Sequence, residues 1–285
     1  MILTHTIVDV RRRVAAARHN GLTIGLVPTM GALHEGHLAL VRRAESECGF
    51  VVVSIFVNPT QFGPSEDYER YPRTLETDCS LCSEAGVDVV FAPDTAEMYP
   101  EGTSTWVEVE GITQILEGAS RPGHFRGVAT VCTKLFSIVQ PDRAYFGQKD
   151  YQQLLVIRKM VCDLNLPLEI IAVPTVREPD GLAMSSRNVY LSAEERDAAT
   201  VLSRALCLAK EMYESGTRAP EAIRAAAIRL IDEEPLAELD YFEVVDAETL
   251  APVVHPDKPM VALTAVRIGR TRLIDNTILG AFNST

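Results

Sequence analysis

His34 and His37 stand three residues apart in PTMGALHEGH, a stretch that follows an apolar run and leads into the helical pattern LALVRRAESE. A helix beginning there turns unpaired N–H groups and the positive end of its dipole toward whatever occupies the loop. Gly31 and Gly36 allow backbone to approach a ligand closely, and the i, i+3 spacing puts both imidazoles on one side of the turn. The combination suits an anion. A plain capped helix start with two incidental histidines is one alternative; a two-histidine metal site is another, with no convincing third ligand in the local sequence. Neither G-x-x-x-x-G-K-[ST] nor G-x-G-x-x-G follows any strand-like run, so the common phosphate and dinucleotide loops are missing.

Four further stretches carry polar groups where chemistry is expected. In VVVSIFVNPTQFGPSEDYERYPRT, Asn58 and Gln61 follow a strand-like run, and the polar loop 62–72 has the composition either of a cover for a pocket or of a simple surface connection. In EGASRPGHFRGVAT, Arg121, His124 and Arg126 form a local positive patch before a helix expected to begin near Gly127, suited to a carboxylate or phosphate, although surface salt bridging accounts for each charge singly. In AYFGQKDYQQLLVIRKM, Lys149 offers a compact charge for phosphate, Asp150 a double acceptor for a sugar diol, and Gln153 lies one turn on; an Asp cap with an exposed Lys is the plain reading. In DGLAMSSRNVYLS, Ser185, Ser186 and Arg187 combine hydroxyls with a guanidinium, a weak motif alone that gains meaning from its place beside a candidate domain junction.

The elements that must position these groups are legible as alternation. Apolar runs TIGLVPT, VVVSIFVN, VDVVFAP, STWVEV, RAYFGQ and LEIIAVPT read as strands, with helices at about 6–19, 36–48, 74–85, 126–139 and 150–162 between them. That order predicts an α/β fold, a Rossmann-like doubly wound parallel sheet whose ligands sit beyond the carboxyl ends of the strands. PTVREPDG (174–181) reads as a connection, so the domains are expected at 1–175 and 176–285. The second, smaller domain is expected to be α+β and to close over the ligand site of the first. Its helical patterns are SAEERDAATVLSRALCLAKEMYES and APEAIRAAAIRLIDEE, followed by strands DYFEVVD, MVALTAVRI and TRLIDN.

Composition sets the outer limits. The chain has 285 residues, 47% hydrophobic and 23% charged, and no apolar run approaches the roughly 20 residues of a membrane span. A net charge of −12 argues against a nucleic-acid scaffold, which needs surplus Lys and Arg on one face. The N-terminus has the wrong order for a secretory signal, so a cytoplasmic location is expected, with six reduced cysteines. Cys79 and Cys82 form a C-x-x-C, but inside a helical pattern with no second pair, which fits two small residues on one buried face better than zinc or redox chemistry.

Taken together, in this order and spacing, HEGH, FVNPTQF, SRPGHFRGV, FGQKDYQQL and DGLAMSSRN resemble the pantothenate synthetase (pantoate-beta-alanine ligase) family, over nearly the whole chain. His34-Glu-Gly-His37 resembles the His-x-Gly-His signature of the nucleotidyltransferase superfamily, and Met184-Ser-Ser-Arg187 its second motif. The resemblance implies ATP-dependent condensation of (R)-pantoate with beta-alanine through a pantoyl-adenylate, releasing pyrophosphate and AMP. It implies that Met30, Gly31, Ala32, Leu33, His34, Glu35, Gly36 and His37 line the ATP site, with His37 catalytic and His34 and Lys149 assisting. Gly147, Gln148, Lys149 and Asp150 form a further ATP segment, Val176 a backbone contact to adenine, and Met184, Ser185, Ser186 and Arg187 the phosphate clamp. Gln148 stands where relatives often have glutamate. Gln61 and Gln153 are implied to hold pantoate, and Asn58, Arg121 and His124 complete the candidate substrate-binding set. Mg²⁺ with unassigned ligands and a homodimer are implied as well. Two other functions fit parts of the pattern: a superfamily nucleotidyltransferase acting on a phosphate acceptor, and a nucleotide sensor without catalysis.

Overall fold

The computed structural model describes residues 1–281 apart from 65 and 256. The chain divides into two compact units, Met1–Gln148 with Gln152–Pro174, and Lys149–Tyr151 with Thr175–Thr285.

The first unit runs β1 (Ile2–Thr4), α1 (Ile7–His19), β2 (Ile24–Thr29), α2 (Glu35–Glu47), β3 (Phe50–Ile55), α3 (Leu75–Glu84), β4 (Val89–Phe91) and α4 (Thr95–Met98). It continues through α5 (Glu117–Ser120), α6 (His124–Val139), β5 (Arg143–Gly147), α7 (Tyr151–Asp163), whose first residue belongs to the other unit, and β6 (Glu169–Val173). The strands form one sheet in the order β1-β4-β3-β2-β5-β6, every pairing parallel. Parallel strands need crossovers, and the amphipathic helices supply them: α1 buries Val10, Val14 and Ala17, α2 buries Leu40, Val41 and Ala44. Two apolar cores result, one containing Val10, Leu26, Phe91 and most of α6, the other containing Val27, Val41, Val53 and Tyr145.

The strand order reverses between β2 and β5, which is where ligands enter such sheets. The two strands pair only at Gly25 with Arg143 and Leu26 with Ala144. Beyond Leu26 the ladder to β5 stops, so Pro28, which has no N–H to donate, falls where that side makes no demand for one. On the other side β2 stays paired with β3 through Thr29, whose hydroxyl donates to the Ser54 carbonyl at 2.7 Å.

The second unit contains α8 (Ala193–Ala198), α9 (Val201–Glu214), α10 (Pro220–Asp232), β7 (Ala237–Asp246), β8 (Met260–Ile268) and β9 (Thr271–Leu279). Its strands form an antiparallel sheet, β7-β8-β9, with α9 and α10 packed on it through Leu202, Leu206, Ile223 and Ile231. The fold is therefore the Rossmann-like doubly wound α/β sheet with a smaller α+β part that the alternation predicts.

Several elements differ from expectation, among them the one-turn helices α4 and α5, too short to show a period. STWVEV is not a strand. Its alternation comes from packing: the Val107 N–H donates to the Thr130 hydroxyl on α6 at 3.0 Å, Val109 is buried, and Trp106 lies under the Arg126 guanidinium, 4.6 Å from it. The long helix expected from residue 192 breaks into α8 and α9 at Ala199 and Thr200, where the Thr200 hydroxyl donates back to the Asp197 carbonyl. The short strand β1 is added at the sheet edge, too brief to show a period.

Gly127 shows how closely α6 approaches the 3-10 turn Pro59–Gln61: a Cβ there would lie 2.7 Å from the Gln61 Cα, with the Thr60 carbonyl nearer still. Gly→Ala inside a helix ordinarily stabilises by about 1 kcal/mol. Here overpacking against backbone, about 1–3 kcal/mol, should win. Gly127→Ala is expected to lower the urea midpoint; a raised midpoint would show that the turn can move aside.

Candidate functional site

The loop from β2 to α2 is built by its own residues. Gly31 and Ala32 adopt left-handed backbone, φ +81° and +50°, which is natural for glycine and costs roughly 1–2 kcal/mol for alanine. His34 then caps α2: its Nδ1 accepts the Gly36 N–H at 3.1 Å, and the His34 N–H donates to Nδ1 of His37 at 3.3 Å. Two imidazoles thus play the parts of the polar pair in a capping box, their ring centroids 4.1 Å apart. Amide donors expected to face a ligand are therefore used by the imidazoles. Because each Nδ1 accepts a hydrogen bond, the neutral ring carries its proton on Nε2.

Asp78, only 1% exposed, holds the turn from the far side. Its carboxylate accepts the Ala32 N–H at 3.0 Å, the Leu33 N–H at 2.8 Å and the Thr74 hydroxyl at 3.2 Å. These bonds offset the strain at Ala32. Sequence reading missed this residue, yet a signal exists: Asp78 lies four residues before Cys82 on the buried stripe of α3, where an acid needs a reason.

Asn58 and Gln61 are both buried and joined, Asn58 Nδ2 donating to Gln61 Oε1 at 3.1 Å and to the Gly127 carbonyl at 3.2 Å. Asn58 Oδ1 accepts from the Tyr99 and Thr60 hydroxyls, each at 3.0 Å. The Gln61 amide N–H points at Met30 Sδ, 3.1 Å away, and so links this cluster to the histidine turn. Tyr99 is a second member that sequence reading missed.

The positive patch is less positive than its composition suggests. Arg121 is paired with Glu66 through two hydrogen bonds of 2.7 Å, and its Nη1 donates to His124 Nε2 at 3.1 Å. His124 in turn donates from Nδ1 to the Gln61 carbonyl at 2.9 Å. Burial, reinforced by the Arg121 charge, pushes the His124 pKa down to about 4, so the ring is neutral at pH 7. Burial alone would raise the Glu66 pKa, but bonding and charge from Arg121 hold it below the usual carboxylate range. Helix α6 starts at His124 rather than near Gly127, and Arg126 stacks on Trp106 instead of joining Arg121.

Gly147 ends β5 and Gln148 follows it; Gln153, half-buried, lies on α7 beside Gln152. Gln152, also missed, is buried and holds the loop before α5 by donating to the Ile112 and Ile115 carbonyls at 2.7 and 2.8 Å. Lys149 and Asp150 belong to the second unit, with Lys149 Nζ 3.9 Å from the Asp150 carboxylate. In that unit the Val176 carbonyl accepts the Met184 N–H at 3.0 Å, closing a hairpin that delivers Ser185, Ser186 and Arg187. Ser185 caps the 3-10 turn Ser186–Tyr190, its hydroxyl accepting the Arg187 N–H at 3.3 Å. Cys79 and Cys82 are free thiols; burial raises both pKa values, that of Cys82 to about 12, which keeps them protonated and unsuited to metal or redox work.

A parallel sheet of this winding, with a polar loop and helix start at the carboxyl edge of its switch point, defines a Rossmann-like α/β protein with its ligand site at that edge. The chain belongs to the pantoate-beta-alanine ligase family, whose model matches residues 2–278. It is 58% identical over 279 residues to the pantothenate synthetase of Moorella thermoacetica, covering 98% of this chain and 99% of that protein. It is 60% identical over 270 residues to that of Roseiflexus castenholzii, covering 95% and 96%. The crystal structure of pantothenate synthetase from Thermus thermophilus matches with a TM-score of 0.93 at 52% identity, covering 97% of this chain and 99% of that one. The Francisella tularensis pantoate-beta-alanine ligase, solved with beta-gamma ATP and beta-alanine, matches with a TM-score of 0.81 at 36% identity, covering 98% and 97%. The chain is accordingly an enzyme, a ligase of this family.

Two outcomes test this geometry. Asp78→Ala strips the acceptor from two loop amides, each worth about 1–3 kcal/mol if left unsatisfied, and should lower kcat/KM for ATP while far-UV circular dichroism stays unchanged; wild-type kinetics would show that the turn holds itself. For His124 the folded pKa lies below the unfolded value, so the unfolded chain binds the proton more readily and stability falls as pH drops from 6.5 toward 4. Urea unfolding between pH 7 and 5 should show a smaller loss in His124→Gln than in the parent, and equal losses would show that the ring is not buried neutral.

Proposed function

We propose that the enzyme joins (R)-pantoate to beta-alanine in two steps, with ATP supplying the leaving group. A pantoate carboxylate oxygen attacks the α-phosphorus of ATP, the bond to the β-phosphate oxygen breaks, and pyrophosphate leaves. The unprotonated amine of beta-alanine then attacks the acyl carbon of the pantoyl-adenylate, AMP departs, and the amine proton passes to solvent. The nucleophiles come from the substrates, so the protein supplies position and charge stabilisation.

One observation carries this reading: the Gln61 amide reaches Met30 at the foot of the histidine turn. An acid held by Gln61 thereby sits one side chain from donors suited to a phosphate. Neutral amides, Asn58 and Gln61 with Gln153, suit a hydroxy acid better than a phosphate acceptor, which calls for Arg or Lys. In this proposal ATP is bound by Met30, Gly31, Ala32, Leu33, His34, Glu35, Gly36 and His37, by Gly147, Gln148, Lys149 and Asp150, and by Val176, Met184, Ser185, Ser186 and Arg187. His37, His34 and Lys149 stabilise charge as it builds on the phosphates. The attacking carboxylate is already ionised, so His37 serves as a donor from Nε2 and no proton need be taken from it. Arg121 and His124 act by fixing the Gln61 carbonyl beside pantoate. The complex of the Francisella tularensis relative with beta-gamma ATP and beta-alanine supports both substrates.

Mg²⁺ is part of the same proposal and enters with ATP. Such ions keep water and phosphate oxygens and take one or two carboxylates at most, and no group of three His, Cys, Asp or Glu side chains suited to a metal is present among the described residues. A homodimer and a cytoplasmic location complete the proposal; among the described residues no helix is long and apolar enough to cross a membrane.

The test is to incubate enzyme, ATP and pantoate without beta-alanine. Pyrophosphate-ATP exchange dependent on pantoate, and a trapped adenylate, are expected; exchange without pantoate, or none with it, contradicts the mechanism. His37→Ala should lower the exchange rate about 10²–10³-fold, the usual consequence of losing one preorganised donor, whereas Gln61→Ala should chiefly raise KM for pantoate.

A further inference from the structure

Lys149 is separated from Gly147, the last residue of β5, by one position, yet it packs with the second unit. Two hydrogen bonds account for this. The Asn276 side-chain amide donates to the Lys149 carbonyl at 2.8 Å, and the Tyr151 hydroxyl donates to the Ala247 carbonyl at 2.8 Å. Asn276 lies on β9, opposite Leu263 of β8, and is only 3% exposed.

Asn276 is itself anchored. Its N–H donates to the neighbouring Asp275 carboxylate at 2.7 Å, and its carbonyl accepts from Arg177 at 3.3 Å. Asp275, also 3% exposed, binds Arg177 through two bonds of 2.6 and 3.0 Å, and Arg177 further donates to the Gly181 carbonyl at 3.0 Å. A buried amide placed by its own ion-paired neighbour can fix a backbone carbonyl within a narrow range. A lysine side chain is long and has many rotamers, so where its ammonium can reach is set by where its backbone is held.

We propose that Asn276 is a positioning residue for Lys149, holding its main chain so that the ammonium meets the ATP phosphates. The inference rests on the reading of Lys149 as a phosphate ligand given above. In this proposal Asn276 acts through the Lys149 carbonyl that it binds. Loss of that bond lets the Lys149 backbone drift, and displacements of about an ångström at a reacting group can cost on the order of a hundredfold in rate.

The experiment is a double-mutant cycle on the intact enzyme, reading kcat and KM for ATP and pantoate alongside pantoate-dependent exchange. Asn276→Ala should lower kcat by about ten- to a hundredfold with KM for pantoate little changed. In a Lys149→Ala background it should add almost nothing, because the group it positions is gone. Asn276→Leu keeps nearly the same volume and has no donor; it should match Asn276→Ala, and urea midpoints close to the parent's for both variants separate lost positioning from lost folding. A full additional loss in the Lys149→Ala background, or wild-type kcat in Asn276→Leu, overturns the positioning role. Wild-type kcat in Lys149→Ala alone would fail the underlying reading of the lysine, a result seen in a different variant, and would overturn the proposal with it.

Discussion

The arrangement at the start of α2 depends on a reciprocal cap made by two imidazoles. Each of His34 and His37 accepts a backbone N–H on Nδ1, so the same rings that complete the helix are oriented with Nε2 as the remaining ring nitrogen. Asp78 supports them from behind by accepting the amides of Ala32 and Leu33. Helix capping, loop strain and ring orientation are thereby one coupled problem. A serine cap would satisfy the helix equally well but would contribute no imidazole, and a loop without Asp78 would leave amide donors unsatisfied.

The sheet gives this cap its place. Strands β2 and β5 part after Leu26, at the reversal of strand order, so the histidine turn and Gly147 both emerge at the switch point. Pro28 at the end of β2 is compatible with that parting and with nothing more regular on the β5 side. The amide cluster of Asn58 and Gln61 is attached to the same region by the close approach of α6 at Gly127, and a neutral His124 fixes the Gln61 carbonyl. The positive charge beside this cluster is paired: Arg121 with Glu66, and Arg126 over the Trp106 ring.

Much of this was legible in the order of residues. Alternating apolar runs and amphipathic helices identified the parallel sheet, because burial on both faces leaves no other composition for its strands. The histidine pair, Asn58, Gln61 and the Lys149 segment were visible because each follows a strand, where the fold places ligands. What was not legible depends on partners distant in the chain. Asp78 meets the turn across 45 residues, and Glu66 meets Arg121 across 55, so local spacing names neither partner, even though an acid on the buried stripe of α3 shows that Asp78 must have one. The charge state of His124 follows from burial, which type and spacing do not report. STWVEV misled because alternation records which side of an extended segment is covered, whether by a strand or, as here, by α6.

The central claim, that backbone capping sets the chemistry of both imidazoles, is tested most directly by nitrogen-15 NMR of the histidine-labelled protein at mildly alkaline pH. His34 and His37 should both appear as the tautomer protonated on Nε2, and those Nε2–H signals should shift when ATP is added. A proton on Nδ1 of either ring would contradict the account, since that nitrogen could then not accept the amide that closes the cap.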